Sequence, residues 1–505
     1  MSGTAQLPRL GSARGRWILL ATILGSSVAS LDATVVNIAL PRIGESLGTD
    51  VAGLQWTLNG YTLTLASFIL LGGSLGDKLG RRKVFVLGAV GFALASVLCG
   101  AAVNIEMLVL ARLAQGVAGA LLTPGSLALI SSSIDDRDRG AAIGLWSGFG
   151  GIAGALGPML GGWLIDVGGW QSVFFINVPL VSVVVAVAMR HVPESRDPDA
   201  TARLDVPGAV VVALALGALT FGLIDAIAAL IVVGVVLLAL FVVIEVRSDH
   251  PLVPPSLFAG TFHAAPGTGG RVFTAANLVT LAVYAALGGV FFLLVLELQL
   301  VAGYSPLLSG LATVPITLIM LALSAPAGRW AQAHGPRLPM TVGPLLAAAG
   351  LVLLTWIGAD SRYPVDVLPG VLVFGLGLSV LVAPLTGAVL GAVPASEAGI
   401  ASGVNNAVAR TAQLLAVAAL PGLAGLAGAL SDPVAFDAGF ETAMCICAGL
   451  LVTGSALAAG LLRTPRRAPE PDRADCLPQC GMTGPALSPA AHAEPEVPEA
   501  PEQAP

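Results

Sequence analysis

Residues 73–82 read Gly-Ser-Leu-Gly-Asp-Lys-Leu-Gly-Arg-Arg, and residues 328–337 read Gly-Arg-Trp-Ala-Gln-Ala-His-Gly-Pro-Arg. Both stretches carry glycines at the first and eighth positions and an arginine at the tenth, at an offset of 255 residues. Each follows the second long apolar run of its half of the chain. A short polar turn between two apolar runs, occurring twice, indicates two homologous halves of six spans each, an arrangement known from transporters built on parallel repeats.

Outward from these loops the chain is apolar almost throughout. It has 505 residues, 56% of them hydrophobic and 11% charged, with a mean hydropathy of +0.88; soluble domains carry roughly 25% charged residues. Fourteen spans are predicted at 17–40, 54–75, 84–103, 105–131, 140–165, 170–190, 207–225, 227–246, 273–300, 306–328, 338–358, 367–392, 397–428 and 439–462. The strict alternation of a membrane β-barrel is missing, so the predicted class is an all-α polytopic membrane protein. The expected organisation is an N-terminal cytoplasmic segment (1–16), a six-helix bundle (17–192), a linker with two extra transmembrane helices (193–271), a second six-helix bundle (272–462) and a disordered cytoplasmic tail (463–505). The first apolar run lacks a small-residue cleavage site and is expected to be retained.

Charge placement sets the expected orientation. With both ends inside, 20 of the 24 Lys and Arg fall in cytoplasmic segments. Arg42 and Arg362 fall outside, and Arg112 and Arg410 lie within spans. Only two residues are lysine, Lys78 and Lys83, and neither follows a glycine. The chain therefore has no phosphate loop of the GxxxxGK[ST] type, so active transport would draw on an ion gradient. Cys99, Cys445 and Cys447 lie in apolar spans, whereas Cys476 and Cys480 lie in the tail, where their x3 spacing could hold a metal but, without clustered His, they are expected to be unpaired, reduced thiols. Arg463, Arg466 and Arg467 are expected to meet anionic headgroups.

Four segments carry a family resemblance: Leu31-Asp32-Ala33-Thr34-Val35-Val36-Asn37-Ile38-Ala39-Leu40-Pro41 in span 1, Gly73 to Arg82, Leu108-x3-Arg112-x2-Gln115-Gly116 in span 4, and Gly154-x2-Gly157-Pro158-x2-Gly161-Gly162 in span 5. Together they resemble the major facilitator superfamily, in its branch of fourteen-span drug:proton antiporters of the QacA/EmrB type, over residues 15–462. The resemblance implies the major facilitator fold, two six-helix bundles plus an inserted hairpin. It also implies multidrug efflux by proton antiport, and hence antibiotic resistance, from the bacterial plasma membrane. No cofactor, enzymatic activity or nucleic-acid partner is expected, and a monomer in contact with lipid is.

Individual residues sharpen this. Asp32 is a lone carboxylate in an apolar span, and such a residue at a membrane centre costs about 2.5–3.5 kcal/mol. It sits about 22 Å along span 1, near the depth of Arg112 in span 4. The pair reads either as a proton-coupling site or as a lock between spans 1 and 4, with burial favouring the neutral acid and the cation the charged one. Glu297, beside Gln299 in span 9, reads as a hydrated interfacial residue, or as a second proton site or a contact for a cationic substrate. Asn37, Trp56, Asn59, Tyr61, Asn277, Tyr284, Asn405, Asn406 and Arg410 are candidates for a polar substrate cavity, or singly for helix–helix hydrogen bonds. Gly73, Asp77, Gly80, Arg81 and Arg82 are expected to form a cytoplasmic gate, with Asp77 capping a helix or pairing with a cation. Gly150, Gly154, Gly157, Gly161 and Gly162 are expected to form one small-residue face beside Pro158 that seals the outer side. The exported solute is expected to be a small amphiphile such as a drug, antibiotic or biocide. An endogenous lipid, metabolite or self-made antibiotic is the alternative within transport, and a non-transporting receptor the alternative outside it.

Overall fold

The computed structural model describes residues 7–196, 205–248, 251–259, 269–394 and 397–462. The tail, with Cys476, Cys480 and the cluster Arg463, Arg466 and Arg467, lies outside them. Helices α1 (Ala13–Leu47), α2 (Val51–Leu79), α3 (Arg81–Gly100), α4 (Ile105–Ser133) and α5 (Asp136–Gly168) account for the first five spans. The sixth is broken at Ile176 into α6 (Ser172–Phe175) and α7 (Asn177–His191). The inserted hairpin is α8 (Val206–Ile224) and α9 (Ala228–Arg247), followed by the short α10 (Ser256–Ala259). The second half comprises α11 (Gly269–Leu300), α12 (Pro306–His334), α13 (Arg337–Leu354), α14 (Leu368–Gly391), α15 (Ala398–Leu423) and α16 (Pro433–Leu461). A π-helical turn, Tyr363–Val367, leads into α14.

Local chemistry explains the boundaries. Ser12 caps α1 by accepting from the Gly15 amide at 3.0 Å, and Asp50 does the same for α2 at the Gly53 amide. Prolines 41, 124, 158, 315, 326, 344, 384 and 421 interrupt helices that packing holds together. The two repeat loops turn at Gly80 (φ +119°) and Gly335 (φ +93°), a backbone region that disfavours a side chain. The 255-residue sequence repeat is thus also a repeat of backbone conformation.

Thirteen helical segments among the described residues are long and apolar enough to cross a membrane. The expected thirteenth span, α15, is 26 residues long but is not among them, because Asn405, Asn406, Arg410 and Gln413 dilute its apolar character. It ends at Leu423 rather than 428, where Gly425 and Gly428 take positive φ. Of the hairpin, α8 packs on α2 and α15, while α9 buries only Gly234 and Glu245. Gly222 and Gly234 let the two hairpin backbones approach closely, since a Cβ on either would meet a backbone nitrogen of the partner helix at 2.8 Å.

One end of the bundle carries Lys78, Arg81, Arg82 and Lys83 and is called the basic end here; the opposite end is the far end. At the far end the two halves are pressed together. A Cβ at Gly310 of α12 would overlap the Pro158 carbonyl of α5, and one at Gly162 would overlap the Leu307 backbone. Asn37 donates to the Phe291 carbonyl at 2.9 Å, and Gln299 donates to the Ile38 carbonyl at 3.0 Å. Gln55 donates to the Val417 and Ala418 carbonyls at 2.7 and 2.9 Å. Toward the basic end a Cβ at Gly140, Gly144, Gly148, Gly150 or Gly154 would meet nothing within 4 Å, and the same holds at Gly387, Gly391 and Gly399. The halves are therefore tightly joined at the far end and more open at the basic end, where α2 and α15 still approach, a Cβ at Gly403 sitting 3.0 Å from Leu70. Replacing Gly310 by Val is expected to keep the far end from closing, because overpacking costs about 1–3 kcal/mol. Spin labels on Val167 and Val434 should then report a longer far-end distance, and an unchanged distance would contradict the tight contact.

Candidate functional site

The buried centre is built from five helices, α1, α2, α3, α4 and α7. Asp32 is 1% exposed and Arg112 is 1% exposed. Arg112 Nη1 lies 2.6 Å from Asp32 Oδ2. Gln115, one turn along α4, donates to Asp32 Oδ1 at 2.8 Å and accepts from Arg112 at 2.7 Å. Asn177, at the start of α7, also donates to Asp32 Oδ1 at 2.8 Å. Ser96 of α3 accepts from Gln115 at 2.9 Å and from Asn177 at 3.2 Å. Arg112 Nε donates to the Thr57 carbonyl of α2 at 3.0 Å, and its guanidinium lies 4.5 Å from the Tyr61 ring and 5.9 Å from that of Phe174. A buried carboxylate is tolerable only with such partners; here both oxygens accept and the countercharge is in direct contact.

Gln115 lies inside the span 4 motif and shares a helix face with Arg112, so its part in the centre is legible in hindsight. Asn177, Ser96 and Thr57 were not anticipated. Asn177 and Ser96 are single polar residues in otherwise apolar spans, and nothing in the sequence says which way they face.

The predicted cavity residues divide. Tyr61 belongs to the Asp32 centre, stacked under Arg112 and edge-on to Phe92. Trp56 turns to the inserted hairpin, its ring 5.7 Å from that of Phe221, and is corrected from cavity to α8 contact. Asn277 and Asn405 bond to each other at 3.1 Å, with Thr280 joining Asn405 at 2.8 Å. Asn277 also donates to its own Phe273 carbonyl. They tie α11 to α15 and so take the helix–helix role. Asn37 ties α1 to α11 in the far-end closure. Asn59 is 1% exposed with an unpaired amide nitrogen, one turn from Gln55 on the face toward α15. Arg410 is half-buried, donates to Gln413 at 3.3 Å, and is close enough to Tyr61 and Tyr284 for its charge to act on both. Tyr284 of α11 and Arg410 of α15 therefore remain near Tyr61 of α2 between the halves, while Asn406 is half-buried on α15. Gln413 fits because Gly288 of α11 leaves it room.

In the loop at the basic end Asp77 accepts from Arg81 at 2.7 Å, which meets the pairing expectation. The cap of α3 is supplied by Glu194, whose oxygens accept from the Arg82 and Lys83 amides at 3.1 and 3.2 Å. A carboxylate at a helix N-terminus is favourable there, and Gly80 is required because a Cβ would sit 2.7 Å from Glu194 Oε1. Along α5 the expected single face splits: Gly157 and Gly161 meet Thr34 and Val35 of α1 and Gly162 meets α12, whereas Gly150 and Gly154 face open space. Glu297 is 0% exposed, which excludes a hydrated interfacial position.

Replacing Trp56 by Ala is expected to loosen α8 while leaving ligand affinity within about twofold, the range of a change outside the binding surface. Equilibrium binding of a transported compound to purified protein would check it, and a tenfold loss would return Trp56 to the cavity.

A bundle of membrane helices in two similar halves, tightly joined at one end and more open at the other, with a buried ion pair in one half, defines a transporter of the alternating-access kind. The chain belongs to the major facilitator superfamily, whose family model matches residues 22–211 and 182–417. It is similar to the tetracenomycin C resistance and export protein of Streptomyces glaucescens, 35% identical over 83% of this chain and 78% of that one. It is also similar to a puromycin resistance protein of Streptomyces alboniger, 35% identical over 80% of this chain and 81% of that one. Among solved structures, a D-xylose–proton symporter superposes with a TM-score of 0.64 at 14% identity, over 90% of this chain and 99% of that one. A bacterial homologue of the lysosomal transporter Spinster, inward-facing and unoccupied, superposes with a TM-score of 0.62 at 17% identity, over 89% and 97%. The fold and family are those of transporters rather than enzymes.

Proposed function

We propose that the protein exports amphiphilic small molecules, antibiotics first among them, in exchange for protons. The observation that carries this reading is the Asp32–Arg112 pair, buried within one helical half, with Tyr61 lying under Arg112 and within reach of the charge of Arg410. A carboxylate that can take up a proton and so release its arginine provides a two-state element that a proton gradient can bias. The names of the relatives supply the substrate class and the direction.

In this reading both termini and the basic end lie in the cytoplasm of a bacterium, following the positive-inside bias. The conformation is then inward-open, with the far end sealed against the outside. One proton enters from outside, neutralises Asp32 and favours the state that loads substrate from within. Release of that proton to the cytoplasm restores the ion pair seen here. Asp77 and Arg81, held to each other within their own half, are free to meet the second half when the basic end closes. No cofactor beyond the proton gradient takes part. Everted vesicles loaded with a pH-sensitive dye test the reading: adding a transported antibiotic should discharge the proton gradient, and the absence of any response in the wild type would count against antiport. Growth of a sensitised host on a panel of antibiotics identifies the substrate; protection by none of them would favour an endogenous cargo.

A further inference from the structure

Glu297 lies near the far end of α11, fully buried, with neither carboxyl oxygen hydrogen-bonded. The charged groups that act on it are Asp437 and Glu441, both from the facing helix α16 and both acidic. Asp437 turns its carboxyl to Glu297, and its own buried Oδ1 is also unpartnered. Gln299, two residues on, is occupied with the Ile38 carbonyl of α1, so it does not relieve either group. Ionised carboxylates only accept hydrogen bonds. Two of them facing each other leave both Glu297 oxygens and Asp437 Oδ1 without a donor, at a cost of several kcal/mol for the buried ion. A single proton removes the problem, since one carboxyl then donates O–H to the other and only one negative charge remains.

We propose that Glu297 and Asp437 hold one proton between them and form a second proton-binding site, in the C-terminal half and independent of Asp32 and Arg112. The ligand is the proton, taken from solution at the far end past the exposed Glu441. Among the described residues no cluster of three His, Cys, Asp or Glu side chains has metal-binding geometry, which favours a proton over a divalent cation. The site adjoins the closure of the far end. Loss of the proton places an unpaired charge in the α11–α16 seam one half-turn from Gln299, whose bond to Ile38 helps join the halves. The proton therefore supports the closed far end. The existence of the site does not depend on the export reading; its role in transport does.

The test uses the full-length protein in lipid nanodiscs. Infrared difference spectra, stepped from pH about 5 to about 9, should show a protonated-carboxyl C=O band that persists above pH about 6, where ordinary carboxylates are ionised. Glu297→Gln should abolish the band, Asp437→Asn should shift its frequency by changing the acceptor, and Asp32→Asn should leave it in place. Glu297→Gln is nearly isosteric; if it does not fold, the Asp437→Asn shift decides. No such band in the wild type, or a band unchanged in both variants, overturns the proposal. Displacement of the band by sodium but not by choline overturns it in favour of a cation site. Spin labels on Val167 and Val434 should separate as pH rises in the wild type but not in Glu297→Gln. A band that behaves as expected in a protein that moves no protons in vesicles would retain this site and remove the export reading.

Discussion

Replacing Arg112 by Leu is expected to destabilise the protein by about 3–5 kcal/mol, the cost of leaving a buried charge without its partner. The geometry explains why so much depends on one side chain. Arg112 reaches Asp32 Oδ2, Gln115 Oε1 and the Thr57 carbonyl at once while lying over Tyr61. Removing it leaves Asp32 with only two neutral amide donors, Gln115 and Asn177. Lysine should not rescue, because a point-like ammonium cannot span three acceptors set around a planar fork. Removing the charge at the same time should rescue: Asp32→Asn combined with Arg112→Leu is expected to regain about half of the loss or more, since no ion then remains unpaired. Unfolding of detergent-solubilised protein across this double-mutant cycle measures the coupling. Additive single losses would mean that the two side chains do not act as a pair.

Asp32→Asn alone is expected to abolish uphill export while substrate binding stays within about threefold, a change below 1 kcal/mol. The amide cannot alternate between charged and neutral forms, so the arginine is never captured and released by a proton. Its shape fits the pocket, but it leaves Arg112 as a buried charge without its counter-ion, at a cost of about 3 kcal/mol, the lower end of the range because the Gln115 and Thr57 oxygens still accept from the guanidinium. That is tolerable for a folded protein and enough to distinguish the variant from wild type in stability. Export in vesicles and binding to purified protein should therefore part company. Normal accumulation by Asp32→Asn would reduce the centre to a structural lock.

How far the sequence could be read follows from what membrane helices reveal. Depth along a span is legible, and it brought Asp32 and Arg112 together correctly. Rotation about the helix axis is not, because an apolar span in lipid has no strong polar face to orient it. This is why Trp56 and Tyr61, assigned to the cavity, turn to α8 and to Arg112. It is also why Asn277 and Asn405 were recognisable as polar but not as each other's partners. Glu194 was missed as the cap of α3 because it lies 112 residues from Arg82, whose amide it accepts, on a segment with no pattern of its own. The small-residue face of α5 was legible as composition, yet only its far portion is in contact, since the basic portion faces the opening between the halves.

The polarity of α15 has a consequence during synthesis. A helix that carries an arginine and two asparagines gains from partners already in the membrane when it enters. Those neighbours, α2 and α11, are made earlier, and they offer the Gln55 amide and the Asn277–Thr280 pair as docking points. Membrane entry of α15 is thus coupled to tertiary assembly. Quality control of the nascent chain should be most sensitive here, at the last helix but one.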